Sequence, residues 1–161
     1  MKVQIFRFIG ACVLATMLLA VITEVWASDK ASDQGLVGSW NLTVTLRDCD
    51  NGTALVVFPA MNTYHQGGTT SQTAIPNSPF RDLPGHGAWN HRTGRTYSGG
   101  FQFFSLTPDG GTYVGKVVVR SDISLGIGGN DYTSTDTAEV YDPAGNLITR
   151  GCSTTSATRF E

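Results

Sequence analysis

The chain has 161 residues, 40% of them hydrophobic and 15% charged, with a formal net charge of −2. Such a length and composition describe one domain with one core once any leader is removed. The weak acidic balance is spread along the chain, which excludes the basic footprint of a nucleic-acid or anionic-membrane partner.

Residues 1–27 read as an export signal. Lys2 and Arg7 supply a short basic region, an apolar run follows from Ile9 to Ile22, and Val25-Trp26-Ala27 places small residues at the −3 and −1 cleavage positions. The run is too short, and too closely followed by Glu24, to be a membrane span. Ile9-Gly10-Ala11-Cys12 loosely fits the pattern before a lipid-modified Cys, but most of the apolar stretch follows that Cys instead of preceding it. The expected organisation is a signal peptide at 1–27, a flexible N-terminus at 28–35 and one domain at 36–161, secreted or periplasmic, with no membrane span after leader removal. Two cysteines then remain, Cys49 and Cys152. In an oxidising compartment an even pair is most simply a disulfide. Closing a loop of about 100 residues is worth at most roughly 4.7 kcal/mol in the chain-entropy picture.

Beyond the leader, helical periodicity is nearly absent and short β-branched or aromatic runs alternate with turn clusters. Leu36–Arg47 alternates cleanly, with Trp40, Leu42, Val44 and Leu46 on one face and Ser39, Asn41, Thr43 and Thr45 on the other. Asp48–Gly52 contains Asn51-Gly52, a strong hairpin signal. Thr53–Met61 is apolar on both faces, and its Pro59 predicts an edge or a bulge. Gly67–Pro84, with three prolines and many Ser and Thr, predicts a loop holding at most one short strand. Gly85–His91 and Arg95–Leu106 follow as strands, the latter with a bend or bulge at Gly99-Gly100. Turns at Thr107–Gly111, Gly126–Asn130 and Asp142–Asn146 separate three further runs. Seven or eight consecutive hairpin-linked strands predict an antiparallel up-and-down meander, and curling it into an all-β barrel of about eight strands removes both exposed edges.

Gly38-Ser39-Trp40 resembles the G-x-W signature of lipocalins and their calycin relatives. The resemblance implies that a late Arg, here Arg159 in Ala157-Thr158-Arg159-Phe160, stacks over the first-strand Trp as a plug at the closed end. A Trp40–Arg159 contact and a Cys49–Cys152 bond rest on different grounds, yet they imply registers between first and last strands that differ by only two residues. Later lipocalin motifs are not evident and no large helix is expected after the leader, so the broader calycin architecture is the better description.

The densest set of reactive side chains is Arg81–Tyr97, with Arg81, Asp82, His86, Trp89, His91, Arg92 and Arg95. It reads either as a pocket mouth or as a solvated hairpin. His65, His86 and His91 lack metal-ligand spacing, since positions five apart on a strand face opposite ways. No G-x-S-x-G occurs, and the glycine-rich Gly126–Asn130 lacks the following helix a phosphate loop needs. No cofactor and no metal is therefore expected.

The favoured expectation is a barrel that binds a small apolar or amphipathic ligand. Phe101, Phe103 and Tyr113 would line the lumen, and His86, Arg92 and Arg95 would stand near its mouth. An eight-stranded barrel is just wide enough for one small molecule. Two alternatives stand beside it. One is a cyclase- or isomerase-type barrel enzyme, which needs an inward ionisable residue such as Asp136 or Glu139. The other is a non-catalytic envelope or interaction protein with a filled barrel and an apolar patch on the 62–95 loops.

Overall fold

A computed structural model describes residues 35–75 and 79–160 of the chain. The predicted signal peptide and most of the predicted flexible N-terminus lie outside the described residues. No helix among the described residues is long and apolar enough to cross a membrane.

Nine strands form one antiparallel sheet: β1 (Gly38–Arg47), β2 (Ala54–Tyr64), β3 (Thr69–Ala74), β4 (Arg81–Asp82), β5 (Gly85–Thr93), β6 (Thr96–Leu106), β7 (Tyr113–Leu125), β8 (Asp131–Tyr141) and β9 (Leu147–Arg159). Eight of them close a barrel in the order β6-β5-β3-β2-β1-β9-β8-β7, with β7 pairing back onto β6. The two-residue β4 extends β6 beyond the end of β5, through Arg81 opposite Leu106 and Asp82 opposite Ser105. The up-and-down barrel read from the sequence is thus the observed fold. The Pro-rich stretch 67–84 yields two strands where one was expected, because β3 is needed to join β2 to β5.

First and last strands pair from Trp40–Arg159 to Arg47–Cys152. Cys49 lies two residues past Arg47 and reaches Cys152 diagonally, with the Cα atoms 5.3 Å apart. That diagonal accounts for the two-residue difference between the two predicted registers.

Pro59 sits opposite Thr43 of β1, and its carbonyl accepts the amide of Ile75 just past the end of β3. Its missing N–H faces the same side, at the very end of the β3 ladder, so at most the one reciprocal bond toward Ile75 is lost. Gly99-Gly100, in contrast, is not a bulge. Both residues keep regular pairing with Ser121 and Arg120, and the irregularity in this ladder comes later, at Ser105/Leu106. The use of glycine here is close approach. A Cβ on the facing Gly87 would overlap the carbonyl oxygen of Gly100, so β5 and β6 lie nearer than side chains would permit.

The core is concentrated at one end. Leu36, Trp40, Tyr64, Tyr97, Ile123, Leu125 and Tyr132 are buried together where β1, β6 and β8 begin and β2, β7 and β9 finish. Edge-on ring contacts link Trp40 to Tyr132, Tyr132 to Tyr64, Tyr64 to Trp89 and Trp89 to Tyr97. Each such pair adds on the order of 0.5–1.5 kcal/mol to the burial of its rings.

Candidate functional site

The closed end is built on the first strand. Trp40 is fully buried, donates from its indole N–H to the Leu36 carbonyl at 3.0 Å, and carries the Arg159 guanidinium 4.2 Å from its ring centroid. Arg159 donates in addition to the carbonyls of Val37, Gly35 and Gly129. One side chain thereby ties the first strand, the last strand and the β7–β8 turn. Gly38 has φ of 133°, and a Cβ there would meet the Arg159 Nη1 at 2.6 Å. The glycine two positions before the Trp is required because the guanidinium occupies its side-chain space. The turn Gly126–Asn130 has a role the sequence did not disclose, as the source of the Gly129 carbonyl.

At the other end the lumen is not filled. A cavity of about 510 Å³ opens between the β1–β2, β3–β5, β6–β7 and β8–β9 connections. Its walls are apolar, with Leu42, Val44, Phe58, Phe101, Phe103 and Val119 among them. The rings of Phe101 and Phe103 stack at 6.4 Å. Ile75, Phe80 and Leu83 border the cavity and are exposed, so apolar surface continues from the wall onto the rim.

The floor is polar. Asn62, Tyr64, Tyr132, Ser134, Asp136 and Thr155 all face inward and are buried, and all border the cavity. Asp136, 5% exposed, accepts from the Thr155 hydroxyl at 2.8 Å and the Ser153 hydroxyl at 3.4 Å, both at Oδ2. The Tyr64 and Tyr132 rings meet edge-on at 6.1 Å beside Asn62, whose side-chain oxygen accepts from the Thr70 hydroxyl. Burial first, with the nearby Asp136 charge adding to it, pushes the Tyr64 phenol up to about 12. Tyr132 is raised as well, chiefly by burial and then by Tyr64. Both phenols are therefore neutral over the working pH range. Higher in the lumen, Ser105 donates to Asp82 at 2.6 Å.

The structure sorts the residues named from the sequence. Phe101 and Phe103 line the cavity. Tyr113 packs edge-on against Phe104, at 5.8 Å, and both are exposed on the outer surface. His86 points outward from β5 between Ser71 and Gln102. Arg92 and Arg95 stand at the Trp40 end, not at the mouth. Arg92 pairs with Asp122 at 2.8 Å in solvent, and Arg95 donates to the Leu125 carbonyl. Trp89 and His91, from the same stretch, bond to the carbonyls of His65 and Gly94 at that end. The reason is geometric: chain direction along β5 carries residues 85–93 from the open half to the closed end, and side-chain parity puts even numbers outside.

Glu139 also lies outside, held by Arg120, Arg150 and Tyr141, which keep its carboxyl below the usual range, Arg120 most strongly. Asp136 is the carboxylate that faces in. Thr133, Thr135 and Thr137 form solvent face, while the polar lumen uses the alternate positions of the same strand. Parity propagated from Trp40 through Arg159 to β8 would have found Asp136 from the sequence. No family model, curated protein or solved structure matches this chain.

Proposed function

We propose that the protein is an exported binding barrel that holds one small amphipathic molecule in its lumen. The observation that carries this reading is the cavity itself: about 510 Å³, apolar-walled, open at one end and plugged at the other by Trp40 and Arg159. Wall and floor differ in chemistry, so a ligand with an apolar body and a polar end fits with the polar end down. The Cys49–Cys152 bond agrees with an oxidising compartment outside the cytoplasm.

Titration with Nile red tests it. Fluorescence should rise on entry into the lumen and should be lost in Ala138→Trp, which fills the cavity from β8. Straight-chain alcohols should displace the dye with affinity rising about fourfold per added CH₂, from roughly 0.8 kcal/mol each, until the lumen is full. A wild-type barrel that leaves the dye unbound overturns the reading.

A second reading, a barrel enzyme, is favoured by one observation, the inward Asp136 beside two neutral phenols. It predicts that a molecule recovered from the lumen is chemically changed after incubation.

A further inference from the structure

The floor of the lumen has a direction of charge. Asp136 receives both of its hydrogen bonds at Oδ2, and no described residue donates to Oδ1. Among the described residues that line the cavity, the other ionisable carboxylate is Asp82, and the one cation is Lys116, whose ammonium lies 5.5 Å over the Tyr141 ring at the rim. Of the other cations, Arg81 is exposed on β4, Arg47 donates to the Thr154 hydroxyl and the Gly52 carbonyl, and Arg95 donates to the Leu125 carbonyl. Arg159 is committed to carbonyls at the closed end, Arg92 to Asp122, and Arg120 and Arg150 to Glu139 on the outside. A carboxylate buried in an apolar-walled site without a counter-charge favours a donor, and a positive one most of all. A second anion brought beside it would be repelled at low dielectric. The neighbouring Tyr64 and Tyr132 present aromatic rings, which also attract cations.

We propose that the lumen selects amphipathic amines, a primary or secondary ammonium seated on Asp136 Oδ1 with its hydrocarbon body against Leu42, Val44 and Phe101. This rests on the lumen-binding reading and names the class of ligand within it.

The test is displacement of Nile red from the full chain at neutral pH by decylamine, decanol and decanoate, which share one tail. Decylamine should bind on the order of tenfold or more tightly than decanol, as a charge-assisted bond in place of a neutral one implies. Decanoate should be weakest. In Asp136→Asn the ratio of amine to alcohol affinity, measured in that same variant, should fall to within about threefold. Equal binding of all three ligands to the wild-type chain, or an amine preference that survives Asp136→Asn, overturns the head-group assignment and leaves lumen binding standing. Failure of every ligand and of the dye overturns lumen binding, and the assignment falls with it. Should Asp136→Asn not fold, the wild-type ranking alone decides.

Discussion

At the Trp40 end of the barrel the inward positions carry Trp40, Tyr64, Tyr97, Ile123 and Tyr132. At the other end the same alternation places Val44, Phe101, Val119 and Ala138 around open space, with Gly85 and Gly87 in the β5 wall. Strand period, pairing and handedness are shared between the two ends, so none of them distinguishes a plug from a pocket. The difference lies in side-chain volume and in where each end is tied. Five rings, Trp89 among them, and a guanidinium meet at one end, whereas at the other Phe58, Phe101 and Phe103 stand among Val44, Val119 and Ala138 around open space. A barrel of this girth becomes a container when its rings close on one another in one half of its length only.

The contrast is open to direct attack, and the largest effect should come from the filled end. Trp40→Ala removes a fully buried indole, its bond to Leu36 and the support of Arg159, and should lower unfolding free energy by about 3–5 kcal/mol. Phe101→Ala, at a wall that already borders a cavity, should cost only about 1–2 kcal/mol. Urea midpoints read both, and equal losses would show that the two ends are packed alike. The disulfide comes next. Replacing Cys49 and Cys152 by Ser should cost about 2–4 kcal/mol while leaving Nile red affinity in the folded protein unchanged, because the bond lies outside the lumen. A loss of dye affinity in that variant would mean that the bond shapes the mouth.

The gentlest probe is alkaline pH. Burial holds the Tyr64 proton in the folded chain up to about 12, against about 10 when unfolded. Between those values the unfolded chain binds fewer protons than the folded one, so stability falls as pH rises, by about 1.4 kcal/mol per pH unit for each such phenol. Below pH 10 the contribution is fully present, and Tyr132 adds in the same direction. Phenolate absorbance at these two tyrosines should therefore appear together with loss of ellipticity. Ionisation of both in a chain that keeps its ellipticity would place them in contact with water.

Much of the fold was legible because it is written locally. The alternation through Trp40, Leu42, Val44 and Leu46, the Asn51-Gly52 turn and the Pro108-containing turn each specify one hairpin by themselves. The Trp40–Arg159 and Cys49–Cys152 pairs added a long-range constraint that few sequences offer, and the structure contains both. The site was less legible. Asp136 and Glu139, three apart on one strand, face opposite ways, but which of them enters the lumen depends on the register of β8 against β9. Arg92 and Arg95 drew attention as a cluster of charge, but composition carries no information about which end of a barrel a turn caps. Stretch 67–84 allows one short strand by its sequence but does not locate β3, because Thr69-Thr70-Ser71-Gln72-Thr73-Ala74 has little apolar character to alternate. It is a strand because its neighbours need a partner.

The Cys49–Cys152 bond and the Arg159 clasp sit at opposite ends of the same β1–β9 ladder. A closed sheet must have a join, and this one is riveted at both extremities. Away from the join, the ladder between β3 and β5 runs only from Thr69–Ala88 to Gln72–Gly85. Beside that short ladder the exposed rim residues Ile75, Phe80 and Leu83 border the cavity. The hoop is thus fastened most firmly on one side and held by its shortest ladder on another, so hydrogen exchange should be fastest in the β3–β5 ladder.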